Sequence, residues 1–128
     1  MSGLAGRLMR VYGDLEAMGA LYDEGIVLRL PRSLGASAGP HCGKAAVLAF
    51  NERTWTFVYH QQFRVEILDD IEQGDVSACR FLFEAVFRKN NAPYLGEYTM
   101  FARSRNGLIT ELDEGLDPLL IQQVRGPA

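Results

Sequence analysis

The stretch ELDEGLDPLL, residues 111–120, places Glu111, Asp113, Glu114 and Asp117 within one short run. A carboxyl does acid–base work at neutral pH only when its surroundings raise its pKa, which means taking water away from it. Asp117 precedes Pro118 and opens DPLLIQQVR, a pattern of helix N-cap followed by proline in the first turn. The other three acids fall on LITELDEGL, which reads as a strand, and a strand sends alternate side chains to opposite faces. With Leu108 and Leu112 facing the core, Thr110 and Glu114 face it too, and Glu111 and Asp113 face solvent. On the preceding strand, an inward Phe101 brings Thr99 and Glu97 inward with it. The parity therefore predicts a Glu97/Glu114 pair, approaching diagonally across the Asn106-Gly107 turn. Two carboxyls in one apolar site do not both ionise easily, so the pair would supply one acid and one base.

The expected surroundings are apolar. Ser77, Cys79, Phe81, Phe83, Ala85 and Phe87 share one face of their strand, and Trp55 closes the wide end. Tyr12 and Leu30 complete a predicted pocket of Tyr12, Leu30, Trp55, Phe81, Phe83, Thr99, Phe101 and Leu112. Other chemistry is poorly supported. His41 and Cys42 are adjacent, His60 has no partner at helical spacing, and no metal site is expected. Neither Cys42 nor Cys79 has a neighbouring His or Lys that would make it a nucleophile. ASAGPHCG lacks the lysine of a phosphate-binding loop.

The elements that must position these residues come in two blocks. Residues 4–12 read as a short helix stopped by Gly13, and Asp14 caps a second over 15–22. IVLRL, residues 26–30, is a strand closed by Pro31. SLGASAGPHCG is a loop, and KAAVLAFNER a helix of good formers. Strands are then predicted at 63–72, 76–88, 94–105 and 108–116, separated by Gly74-Asp75, Asn90 to Pro93 and Asn106-Gly107. Helices followed by an antiparallel meander predict an α+β fold, with a strongly curved sheet wrapped around the N-terminal helices as a cone-shaped roll.

Composition sets the outer limits. A chain of 128 residues with 48% hydrophobic content suits one domain with one core. A net charge of −3 without a basic run gives no nucleic-acid footprint. The apolar runs are too short to span a bilayer, and MSGLAGRLMRVYG lacks the apolar core of a signal peptide. Both cysteines therefore read as reduced thiols in a cytoplasmic protein. Ala78, Leu82 and Val86, on the face away from the helices, predict a homodimer through the convex sheet.

The order of pieces GDLEAMGALYDEGIVLRLP, PHCGKAAVLAF, EILDDIEQGDVSACRFLF and GLITELDEGLDP resembles the nuclear-transport-factor-2-like superfamily, and within it the ketosteroid isomerases and SnoaL-like cyclases. The resemblance implies a single SnoaL-like domain over 1–128, a small apolar ligand and no cofactor. It also implies roles residue by residue. Leu30 stands where ketosteroid isomerases carry their base, Gly6 near their helical tyrosine and Thr99 at their second acid, so steroid isomerisation is not expected. Glu114 aligns with the last-strand acid of cyclases and epoxide hydrolases of this fold, while Glu97 and Thr99 stand at the hydrolases' arginine and second aspartate. Two readings remain open: an acid–base enzyme of isomerase, cyclase or hydrolase type acting on an apolar cyclic metabolite, and a non-catalytic ligand-binding or dimerisation module.

Overall fold

The structure is a computed structural model, and it describes residues 3–59 and 62–126. Its elements are α1 (Leu4–Arg10), α2 (Leu15–Gly19), β1 (Tyr22–Arg29), a 3-10 segment (Arg32–Ala38), β2 (His41–Cys42), α3 (Lys44–Trp55), β3 (Arg64–Gln73), β4 (Val76–Val86), β5 (Pro93–Arg105), β6 (Leu108–Gly115) and α4 (Pro118–Arg125). The six strands form one sheet in the order β2-β1-β6-β5-β4-β3. The α+β class and the curved sheet are those predicted, and the sheet is unclosed. One pairing departs from the antiparallel meander, because β1 runs parallel to β6.

The long strands alternate cleanly. Ser77, Cys79, Phe81 and Ala85 are buried on β4, and Tyr94, Met100 and Ala102 on β5. The concave face packs against α1, α2 and α3 through Leu8, Met18, Val47 and Trp55. Asp70 fastens α1 to the sheet. It accepts a hydrogen bond from the Gly3 N–H at 3.1 Å and pairs with the Arg10 guanidinium at 2.8 Å. Gly6 lies under that carboxylate, where a Cβ would come within 2.2 Å of Asp70 Oδ2. Only glycine leaves room for this clamp.

Boundaries moved where two signals competed. The second helix ends at Gly19 instead of 22, because Tyr22 is taken by β1, where it pairs with Ile109. The predicted loop after Pro31 contains the 3-10 segment and the short β2, which pairs with Val27 and Leu28. Asp14 and Asp117 cap their helices as expected, accepting from the Ala17 N–H at 3.1 Å and the Leu120 N–H at 3.2 Å. Among the described residues no helix is long and apolar enough to cross a membrane.

Candidate functional site

β5 and β6 pair so that Met100 faces Glu114 and Ala102 faces Leu112. Met100, Ala102 and Leu112 are all buried, so Glu114 points to the concave side. Glu111 and Asp113 point the other way, where Arg29 lies 3.1 Å from Glu111 and 4.0 Å from Asp113. A bulge separates the two ends of β6: Arg103 pairs with Glu111, but Ser104 with Ile109, so Thr110 is extra. Ile109, not Leu108 or Thr110, therefore joins the core at that end.

The expected partner of Glu114 is absent from the site. Glu97 pairs with Leu82 and lies on the convex face, where it and Asp69 grip the Arg80 guanidinium. Thr99 and Phe101 share that outward face, and the Arg103 guanidinium lies 5.4 Å from the Phe101 ring. The register of β5 is thus one residue from the predicted one. The apolar bulk of Phe101 suggested an inward side chain, but the alternate set Tyr94, Gly96, Tyr98, Met100 and Ala102 carries no charge and wins the interior. Of the remaining predicted pocket residues, Tyr12, Leu30, Trp55, Phe81, Phe83 and Leu112 all lie in or against the main core.

The corrected register puts Tyr94 and Tyr98 on the same side of the sheet as Glu114. Its charge bears on the hydroxyls of Tyr12, Tyr22, Tyr94 and Tyr98, four of the five tyrosines in the chain. Tyr94 and Tyr98 meet at 2.9 Å, hydroxyl to hydroxyl, over Gly96, where a Cβ would come within 2.2 Å of the Tyr94 hydroxyl. Tyr22 donates to Asn51 Oδ1 at 2.8 Å in the buried core. Glu114 itself has neither counter-ion nor hydrogen-bond donor among the described residues. The residue keeps part of its surface open, but the packing around it strips water from the charge, and this desolvation lifts its pKa from an ordinary 4.5 to about 7. Burial and the nearby carboxylate push Tyr12 up to about 12, and Tyr22, Tyr94 and Tyr98 upward as well, so all four remain hydroxyl donors at neutral pH. Sequence reasoning missed Tyr22, Tyr94, Tyr98 and Asn51. The signal for the β5 pair was the charge-free parity of its strand.

Two surface grooves do not reach this carboxyl. A groove of about 830 Å³ runs between the end of α1 and the start of β3, lined by Met9, Tyr12, Phe63, Val65 and Ile67. A second, of about 580 Å³, lies between the α1–α2 turn and the end of α3, beside Trp55 and Arg88. Glu114 is the one carboxyl among the described residues whose pKa is clearly shifted, which makes it the candidate for acid–base chemistry. Among the described residues no cluster of three or more His, Cys, Asp or Glu side chains is placed to hold a metal. His60 lies outside the described residues, and both cysteines are free, Cys42 exposed and Cys79 buried.

A family model described as a SnoaL-like domain matches residues 10–112. Tyr12 lies inside that match and Glu114 two residues beyond it. Among solved structures, a nuclear-transport-factor-2-like protein of unknown function from Burkholderia pseudomallei superposes with a TM-score of 0.83 at 16% identity, covering 97% of this chain and 95% of its own. A protein with a ketosteroid-isomerase-like fold from Catenulispora acidiphila, in complex with trimethylamine, gives 0.81 at 13% identity, with 98% and 93% covered. IdmH, a putative polyketide cyclase from Streptomyces antibioticus, gives 0.77 at 21% identity, with 94% of each chain covered. At such identities these likenesses establish the fold. No curated protein matches the chain.

Proposed function

Because the chain belongs to the SnoaL-like family, we propose that it binds a small apolar ligand between sheet and helices and that Glu114 moves a proton on it. The observation that carries this reading is an inward carboxyl without a counter-ion among the described residues, poised near neutral pH by desolvation, whose charge reaches several tyrosine hydroxyls. A group with a pKa of about 7 is populated in both protonation states at neutral pH, so it can take a proton from one ligand atom and return it to another. The hydroxyls of Tyr12 and Tyr98 are suited to the complementary task, donating to an oxygen on which negative charge develops. One glutamate shuttling a proton replaces the two-carboxyl scheme, since Glu97 is tied to Arg80 on the other face. Two proteins of the same fold are described as a putative isomerase, from Bacillus subtilis, and a putative polyketide cyclase, IdmH.

The test is an infrared titration. A carboxylic-acid carbonyl band that disappears with a midpoint near 7, and is missing from Glu114→Gln, supports the assignment. Carboxyl bands confined to the ordinary acidic range in the wild type would reject it. Mass spectrometry of molecules co-purifying with the protein would then identify the ligand.

A second reading is favoured by the separation of both grooves from Glu114: the fold is kept as a binding or dimerising module. The convex face supports the dimer. Ile71 at 66%, Leu95 at 55% and Phe101 at 38% exposure lie there beside the Arg80 and Arg103 ion pairs. A second copy covering this patch is the proposed arrangement, and sedimentation of a clean monomer at micromolar concentration would reject it.

A further inference from the structure

The helices that cover the concave face are held to very different degrees. α1 is fastened to the sheet by the Gly3 and Arg10 bonds to Asp70 and by an Ala5 N–H donated to Ser77 Oγ at 3.0 Å. α3 buries Val47, Phe50, Asn51 and Trp55. α4 buries none of its residues, and its Leu119 is 60% exposed. Its C-terminal end is tied down by the Asn90 amide, which donates to the Val124 and Arg125 carbonyls at 2.9 and 3.3 Å. The Arg125 guanidinium also lies 5.2 Å from the Phe57 ring. At the other end the β6 ladder stops at Gly115, paired with Thr99, and Leu116 and Asp117 link sheet to helix.

This loosely held helix sits over the outer end of the concave face. Leu120, Ile121 and Val124 pack in one cluster with Phe87, Tyr94 and Tyr98. Tyr94 and Tyr98 meet hydroxyl to hydroxyl at 2.9 Å. Tyr98 stands two residues from Met100, which pairs with Glu114, so Tyr98 and Glu114 are diagonal neighbours on one face. A continuous path therefore runs from the apolar side of α4 through the two phenols to the carboxyl. Neither surface groove is lined by α4, Tyr94 or Tyr98. The place beside the phenols is taken by the helix itself.

We propose that α4 is a removable occupant of the ligand seat: a ligand with a branched aliphatic body displaces it, lies on Phe87 and Tyr94, and brings its oxygen to the Tyr94–Tyr98 pair. This deepens the acid–base reading, on which it rests for the role of Glu114 but not for the seat. The ligand class follows from what the seat now holds. Three branched aliphatic side chains pack there, so a body of that shape recovers the same apolar contacts. The two phenols carry two protons and use one between themselves, which leaves one O–H for a ligand oxygen. Undocking and unwinding of α4 are one event, since eight residues are too few to stay helical in water alone. The Asp117 cap therefore sets how often the seat opens.

Hydrogen exchange read by mass spectrometry, with geraniol as the probe, tests this on the full chain. A ligand that binds the closed protein slows exchange around it. Saturating geraniol should instead speed exchange over residues 118–125, and not over β5. Asp117→Ala leaves the seat intact and removes the cap, which corresponds to about fivefold in the opening equilibrium. It should speed α4 exchange by about fivefold and tighten geraniol binding, measured by calorimetry, by the same factor. Ile121→Asn brings a polar amide to the seat-facing side and should act in the same direction. It decides by the same readings if Asp117→Ala leaves α4 exchange unchanged. The proposal is overturned by slower or unchanged α4 exchange on geraniol binding, or by faster exchange throughout the chain. It is equally overturned by equal affinity in the wild type and a variant with loosened α4, or by no binding to any of them. Exchange over α4 does not read Glu114 ionisation. Carboxyl bands confined to the acidic range, with α4 released by geraniol, sink the acid–base reading alone, and the reverse result sinks the removable occupant alone.

Discussion

Glu114 and Glu97 stand on neighbouring strands of one sheet and live in opposite chemical worlds. Glu97 faces outward and shares the Arg80 guanidinium with Asp69. Glu114 faces inward, has no cation beside it among the described residues, and its charge bears on four tyrosine hydroxyls. The convex face disposes of charge by pairing long side chains in water, which costs little and stabilises little. The concave face holds a carboxyl with no counter-ion among the described residues to offset its desolvation, and a group kept at such a cost is a candidate for function. Side-chain parity, more than residue type, therefore separates a solvated acid from a desolvated one here.

The broadest way to break the comparison is to remove bulk from each face. Phe81, 2% exposed, packs on the concave side against Tyr98 with ring centroids 5.4 Å apart. Phe81→Ala should cost about 3–5 kcal/mol, the range for a large side chain lost from a core that does not collapse. Phe101→Ala, on the convex side, should cost far less in a monomer. Urea denaturation measures both. A Phe101→Ala loss that approaches the Phe81 value and grows with protein concentration would show that the convex face is covered by a second copy.

Protonation gives the next largest effect. The folded state holds the Glu114 proton up to about pH 7, whereas the unfolded chain releases it near 4.5. Between those values the folded state binds more protons, so stability falls as pH rises, and the loss is complete above the folded pKa. A shift of this size corresponds to about 3 kcal/mol. Glu114→Gln should remove the slope, equal the wild type at the acidic end and exceed it at about pH 8. Denaturation midpoints across the range check this, and a wild type whose stability does not decline through that window contradicts the assignment of Glu114.

The sequence made the α+β order, both aspartate caps and the inward side of β4 legible because each rests on a local signal: a capping residue, a turn dipeptide or an unbroken alternation. The same signals sorted the four acids of residues 111–120 correctly, with Glu114 inward, Glu111 and Asp113 outward and Asp117 at a helix cap. β5 was harder because both of its parities carry apolar bulk, Phe101 on one and Met100, Tyr94 and Tyr98 on the other. The charges Glu97, Arg103 and Arg105 all sit with Phe101, and counting them would have settled the register. The bulge at Thr110 left no sequence mark, since both Leu108 and Ile109 suit a core. The parallel pairing of β1 with β6 is a tertiary choice that no local pattern records.

A smaller effect belongs to the end of the acidic stretch. Asp117 is exposed and caps α4 through the Leu120 N–H, so Asp117→Ala should cost about 1 kcal/mol. Its charge also bears weakly on Tyr94, but burial dominates that shift, and the Glu114 titration should keep its midpoint. Thermal melts together with the infrared titration separate the two readouts.

The smallest expected effect sharpens the comparison most, because it concerns the residue that parity first placed in the site. Glu97→Gln removes one of two carboxylates from Arg80 and leaves Asp69 in place at 2.8 Å. The guanidinium stays in water, so neither its charge nor its donors are stranded by the change. Stability should stay within error of the wild type, and so should the pH slope, since the slope arises from Glu114 on the other side of the sheet. Raised salt should weaken the Arg80 pairs and leave the Glu114 titration nearly untouched, because screening acts on exposed charges and little on desolvated ones. A Glu97→Gln protein that loses the neutral-pH slope would mean that the two carboxyls share one site after all. β5 would then have to turn over by one residue, taking Tyr94 and Tyr98 out of the interior along with the environment that raises the Glu114 pKa.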